Sequence, residues 1–192
     1  MTKTIPILAV PIFAAILIGV MMVPAHAGVG VVYCSTDKNN PTTGDQNAQT
    51  IELESSGDNC YIDGVFNVYS IRILGANEVK IENTQVDRFV VVQQTTDKVK
   101  VKNNTVAESI DVSFNPADHI QVMHNSAREI NLNGNDTKHL QLAGNTVPEG
   151  NRIFLVGNIV EKFAFCKHNS EDLSGGGNIF LGKNIECTPP AP

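Results

Sequence analysis

The sequence predicts an all-β, single-domain parallel β-helix, a β-solenoid of about six coils of ~20 residues with disulfide-stabilised end caps. Three observations carry this expectation. First, one phrase recurs across residues 99–147: VKVKNNTV, IDVSFNPA, IQVMHNSA, INLNGNDT and LQLAGNTV, with aliphatic first and third positions, asparagine sixth and a small residue eighth. Second, apolar-x-apolar pairs continue on both sides of it in two interleaved series, each stepping 19 to 23 residues. Third, the four cysteines fall two toward each end of the repeat. Strands of three or four alternating residues bury one face only and do not offset the entropy of ordering them alone. Stacking each series on itself pairs neighbouring coils as parallel strands about 4.8 Å apart and joins the inward residues into aliphatic columns.

Taken in order, residues 1–27 carry Lys3, an apolar run over 5–23 interrupted by Pro6 and Pro11, and Ala25 and Ala27 around His26. That is the pattern of a signal peptide cleaved after Ala27, and it predicts a secreted or cell-surface protein with no membrane span after cleavage. The mature part, 28–192, is one domain's length. Residues 28–50 are expected to form an N-terminal cap, with a strand over 28–34 and a polar surface loop over 35–49.

Residues 51–160 hold the regular coils. One series is Ile51/Leu53, Ile71/Ile73, Val90/Val92, Ile110/Val112, Ile130/Leu132 and Ile153/Leu155. The other is Cys60/Ile62, Val79/Ile81, Val99/Val101, Ile120/Val122, Leu140/Leu142 and Phe163/Phe165. Residues 148–152 lengthen one corner. Residues 161–192 are expected to form the C-terminal cap, with a glycine-rich loop over 171–178 before a strand over 179–181. A solenoid must close its ends against strand addition. The expected bridges are Cys34 to Cys60 and Cys166 to Cys187, each joining cysteines close in sequence; the two other connectivities stay open.

These coils, with asparagines at Asn104, Asn125 and Asn145 in one series and Asn115, Asn135 and Asn158 in the other, resemble the right-handed parallel β-helix, or pectate-lyase-like, superfamily over 51–186. The resemblance implies internal asparagine ladders, inward amides whose stacked rows satisfy one another. The equivalent places in earlier coils hold Ala76, Thr84 and Thr95, so the ladders are expected to begin near Asn104. The superfamily includes polysaccharide lyases, hydrolases, adhesins and non-catalytic modules, and fold alone does not choose among them.

Removing Lys3 with the leader leaves 13 basic and 20 acidic residues, a formal charge of −7. This argues against nucleic acid as a partner. Tryptophan is absent, and no Cys/His spacing suggests zinc. No nucleophile motif is present, so no catalytic residue is assigned; were the protein an enzyme, Asp111, Asp118, His119 and His139 are the candidates. His119 and His139, one coil apart above Lys98 and beside Asp97, Asp118 and Lys138, are also the weak candidates for a metal, with Asp118. The reading preferred is a solvated corner with no metal or other cofactor. Arg88, Glu108 and Arg128 are expected to stack as an alternating row, with Glu129 and Arg152 paired beside them. His124 is read as a turn residue and His168 as part of the cap. Of two N-x-[ST] sequons, at Asn103 and Asn135, only Asn103 is expected to face outward. Gln121, Asn131 and Gln141 are read as plain outward polar positions, and Val91, Phe154 and Phe180 as outward apolar ones.

The function expected is an exported non-catalytic β-helix, a cell-surface structural piece or a module binding a glycan or a cell-surface protein. A polysaccharide lyase or glycoside hydrolase is the alternative, and an adhesion or assembly subunit a further one.

Overall fold

The ~20-residue spacing is realised as parallel pairing between successive coils. The computed structural model describes residues 30–170, 173–182 and 184–187; the signal-peptide pattern at 1–27 lies outside the described residues. The strands are β1 (Val31–Tyr33), β2 (Thr42–Glu52), β3 (Cys60–Leu74), β4 (Glu78–Glu82), β5 (Gln85–Val86), β6 (Phe89–Gln93), β7 (Lys98–Lys102) and β8 (Thr105–Ser113). They continue as β9 (His119–Met123), β10 (Ser126–Asn133), β11 (Asp136–Ala143), β12 (Ile153–Val156), β13 (Ile159–Lys167), β14 (Leu173–Ser174), β15 (Ile179–Phe180) and β16 (Asn184–Glu186). No helix occurs among the described residues, so none is long and apolar enough to cross a membrane.

The register shows the stack directly. One column runs Val32, Ile51, Ile71, Val90, Ile110, Ile130, Ile153 and Leu173, each residue paired with the next. The other runs Cys60, Val79, Val99, Ile120, Leu140, Ala164 and Ile185. The stack therefore has about eight turns rather than six. Both ends of the chain add rungs that their composition hides. Residues 42–49 lie in β2 and not in a loop: they are polar, but β3 presents a ready ladder and their backbone takes it. At the far end β14, β15 and β16 continue the parallel pairing beyond residue 160.

Inward aliphatic residues from both series form one core, with Ile51, Ile71, Ile81, Ile110, Ile120, Ile130, Leu140 and Ile153 fully buried. Burial of this kind contributes roughly 1.5–3 kcal/mol per side chain. The two disulfides are Cys34–Cys60 and Cys166–Cys187, as expected, one toward each end.

The turns explain the repeated asparagine. In the regular coils β7 to β10 are each followed by a residue of positive φ and then a buried one: Asn103 before Asn104, Phe114 before Asn115, His124 before Asn125 and Gly134 before Asn135. The buried asparagine then ties three coils together. Asn125 Nδ2 donates to Val101 O at 2.9 Å in the preceding coil and to Asn145 Oδ1 at 3.0 Å in the next. Its own Oδ1 accepts from the Asn104 backbone N and Nδ2, both at 3.0 Å. Two such ladders run through the molecule: Asn104, Asn125, Asn145, Asn169, and Asn115, Asn135, Asn158, Asn178. Asn169 and Asn178 extend them past the residues the sequence singled out. At the N-terminal end Thr84 and Thr95 only donate backbone N–H to Asn104 and Asn115.

Three expectations about facing are corrected. Phe163 and Phe165 are not inward: a register shift in β13 opposite β11 places Ala164 and Cys166 against Leu140 and Leu142, and turns both rings outward. Phe180 is not outward; it pairs with buried Val160 and packs against the end of the core. Of the expected charge row only Arg88 and Glu108 pair, at 3.1 Å. A bulge between β8 and β10 displaces Arg128 from Glu108. Glu129 instead accepts from Asn131 at 2.6 Å, and Arg152 reaches Ser174 at 3.4 Å.

Candidate functional site

Alternation sets the outward surface as firmly as the core, because each residue between two buried ones must point away from them. On β4, β7, β9, β11 and β13 these outward residues stack in three columns. The first is Glu78, Lys98, His119, His139 and Phe163; the second Lys80, Lys100, Gln121, Gln141 and Phe165; the third Glu82, Lys102, Met123, the small and covered Ala143, and Lys167. One continuous face thus passes from lysines interspersed with Glu78 and Glu82, through imidazoles and amides, to phenyl rings. The turns bordering it at 83–84, 103–104, 124–125 and 144–145 each place one left-handed residue before a buried polar one, with strand pairing resuming at once after the first three.

At the lysine end Glu82 holds two of the four ammonium groups, with Glu78 and Asp63 nearby. Lys80 and Lys100 reach Glu82 at 2.8 and 2.7 Å. Burial opposes ionisation of Glu82, but hydrogen bonds from Lys100 and Lys80 outweigh it and hold the carboxyl below the ordinary range. Lys98 and Lys102 make no ion pair among the described residues. At the border of this end the Tyr61 hydroxyl donates to Glu78 at 2.8 Å; burial, then this bond to a carboxylate, pushes its pKa up to about 12.

In the middle, His119 and His139 lie face to face, ring centroids 4.5 Å apart and planes 5° from parallel. Burial first, then the charges of His119 and Lys162, hold the His139 imidazole below the ordinary histidine range. Ring lone pairs in parallel planes do not converge on one point. Among the described residues no group of three or more His, Cys, Asp or Glu is gathered as a metal site. Asp118 is engaged by Lys138, whose Nζ lies 2.7 Å from its carboxylate; this hydrogen bond keeps Asp118 below the usual carboxylate range. Beside the histidines, Gln121 Nε2 donates to Gln141 Oε1 at 2.7 Å, so both amides are aligned along the stack. At the far end the Phe163 and Phe165 rings stand 6° from parallel, centroids 6.3 Å apart.

Asp111 is on a different face. It lies on β8 between Val91 and Asn131, where the Ser113 hydroxyl donates to it. That face carries two shallow depressions, one at Arg72, Leu74, Val91 and Gln93 and one at Glu129, Asn131, Asn133, Phe154 and Val156. The four candidate catalytic residues are therefore not one constellation: the histidines stack, Asp118 is tied to Lys138 at their edge, and Asp111 belongs to another strand series. His124 sits in a left-handed turn with its ring against Gly144, where an added Cβ meets the ring at 2.4 Å. Asn103 is exposed and Asn135 buried.

Sequence reasoning missed the lysine cluster, although KVKVK at 98–102 is a period-two pattern that aims three lysines the same way. It also missed the two outward phenylalanines, for which the parity of bridged Cys166 was the available signal.

Fold and face together define a disulfide-bonded parallel β-solenoid with paired asparagine ladders and a graded polar face. No family model, curated protein or solved structure matches the chain.

Proposed function

We propose that the protein is an exported, non-catalytic binding module of the pectate-lyase-like β-helix superfamily, and that its graded lysine, histidine, glutamine and phenylalanine face takes a glycan. The observation that carries this reading is the in-register alignment of the Gln121 and Gln141 amides between stacked imidazoles and the Phe163 and Phe165 rings. Aligned amides match a series of sugar hydroxyls, and aromatic faces bury the apolar side of a sugar ring. The two ladders support the superfamily, and full pairing of the four cysteines supports export. The dispersal of Asp111, Asp118, His119 and His139 favours binding over turnover, since a general acid and base must share one substrate.

A glycan array probed with residues 28–192 tests the proposal, followed by an assay for cleaved ends on every glycan bound. Binding without cleavage, weakened by Gln141→Ala or Phe163→Ala, is the expected result. Cleavage would restore the lyase or hydrolase reading, and absence of binding together with a multimeric mass in size exclusion would favour an assembly subunit.

A further inference from the structure

The two N-x-[ST] sequons stand on different coils, and the fold treats them oppositely. In Asn103-Asn104-Thr105 the acceptor amide and the hydroxyl residue are both presented: Asn103 and Thr105 are exposed, and only Asn104 between them turns into the core. Asn103 lies at the corner between β7 and β8, in the left-handed region with a φ of 56°. Its Nδ2 donates to Asn83 Oδ1 at 3.2 Å, and Asn83 Nδ2 donates to Asp63 Oδ1 at 2.8 Å, so a short outer row runs along this corner. Among the described residues the second amide hydrogen of Asn103 and the Thr105 hydroxyl have no partner.

In Asn135-Asp136-Thr137 both parts are consumed by the fold. Asn135 Nδ2 gives one hydrogen to Val112 O and the other to Asn158 Oδ1, each at 2.9 Å. Thr137 is buried, and its hydroxyl lies 3.2 Å from the Asp118 carbonyl and 3.1 Å from that of His139. An N-linked sugar replaces one of the two hydrogens of an asparagine amide. Asn103 can lose one and keep its bond to Asn83, whereas Asn135 cannot lose either without orphaning a buried acceptor.

We propose that Asn103 is an N-glycosylation site, that it takes its sugar from a glycosyl diphospholipid during export, and that Asn135 is not modified. The inference rests on the export part of the reading above and not on the glycan-binding part. Asn103 Nδ2 attacks the anomeric carbon of the donor sugar, and a carbon–nitrogen bond forms there. The bond from that carbon to the diphosphate oxygen breaks, its electron pair leaves with the lipid diphosphate, and one amide proton passes to a base of the transferase. Nothing is oxidised or reduced. Thr105 supplies the hydroxyl by which the transferase reads the sequon. The attached glycan stands on an exposed corner beside Lys102 and removes no bond from the ladder that runs through Asn104.

Mass spectrometry of tryptic peptides from the protein captured from its own source tests the proposal, because cleavage after Arg128 and Lys138 puts the two sequons on separate peptides. The peptide ending at Arg128 is expected to carry added sugar mass, and peptide 129–138 none. Expressed in the same cells, Asn103→Gln and Thr105→Ala are expected to abolish the added mass and Thr105→Ser to retain it. A chain beginning at Gly28 with no sugar on Asn103 would overturn the site and leave the export reading standing. A chain that keeps residues 1–27 and carries no sugar would overturn both. Sugar on Asn135, or sugar that survives Thr105→Ala, would also overturn the proposal.

Discussion

The Asn125 side chain makes or receives four hydrogen bonds inside the core, and an apolar side chain of its size replaces none of them. In Asn125→Leu the Val101 carbonyl and the Asn104 amide lose their partners in a buried setting. Each orphaned group costs about 1–3 kcal/mol. Gln121, four residues earlier, gives up only a half-exposed bond to Gln141. Urea denaturation should therefore show Asn125→Leu destabilised by several kcal/mol, about 3 or more, and Gln121→Leu by less than about 1. Equal shifts would mean that the inward and outward assignments are wrong. The same contrast shows what a sequence reveals at this scale. An asparagine at every sixth position of a repeated phrase is legible as a ladder. Asn169 and Asn178 close the two ladders, each accepting from the asparagine before it and donating to a carbonyl of the preceding coil, but stand where the phrase has decayed, so only the coordinates identify them.

At the scale of the element, strand parity decides which side chains reach the surface. The rungs 99–101, 120–122 and 140–142 read correctly because alternation and repeat spacing agree. In β13 they disagree: one extra residue enters between the strand's two halves, and the larger apolar pair, Phe163 and Phe165, goes outside while Ala164 goes in. Hydrophobicity alone selects the wrong pair there, because the register shift reverses which residues of β13 face the core. The aromatic end of the proposed binding face was hidden for that reason, while KVKVK was legible and lacked only Glu82 on the adjacent strand to give it meaning.

That carboxylate carries a prediction. Its folded pKa lies below the value of a free glutamate, 4.5, so its stabilising contribution is present above that pH and is lost as pH falls through the folded value. Glu82→Gln should be less stable than the parent at neutral pH. It should also lose less stability between about pH 5 and 3. Parallel pH profiles for the two proteins would show that the Lys80–Glu82–Lys100 cluster contributes nothing.

The whole molecule is a one-dimensional stack whose interior rungs each have two neighbours and whose ends have one. The disulfides join those ends to the body, Cys34 to Cys60 across 26 residues and Cys166 to Cys187 across 21. Closing loops of that size stabilises a folded chain by roughly 3 kcal/mol. Alkylation without reduction should label no cysteine in residues 28–192. After reduction, amide exchange should accelerate in β1, β2, β14 and β16 while β7, β9 and β11 stay protected; uniform acceleration would show that the stack opens all at once.

The central claim is that binding resides on one face of this stack and that the Asp111 face is not its site. Affinity electrophoresis in a gel containing the tightest array glycan compares Gln141→Ala/Phe163→Ala with Asp111→Asn. The first variant should migrate unretarded and the second like the parent. Retardation lost by Asp111→Asn and kept by Gln141→Ala/Phe163→Ala would contradict the account.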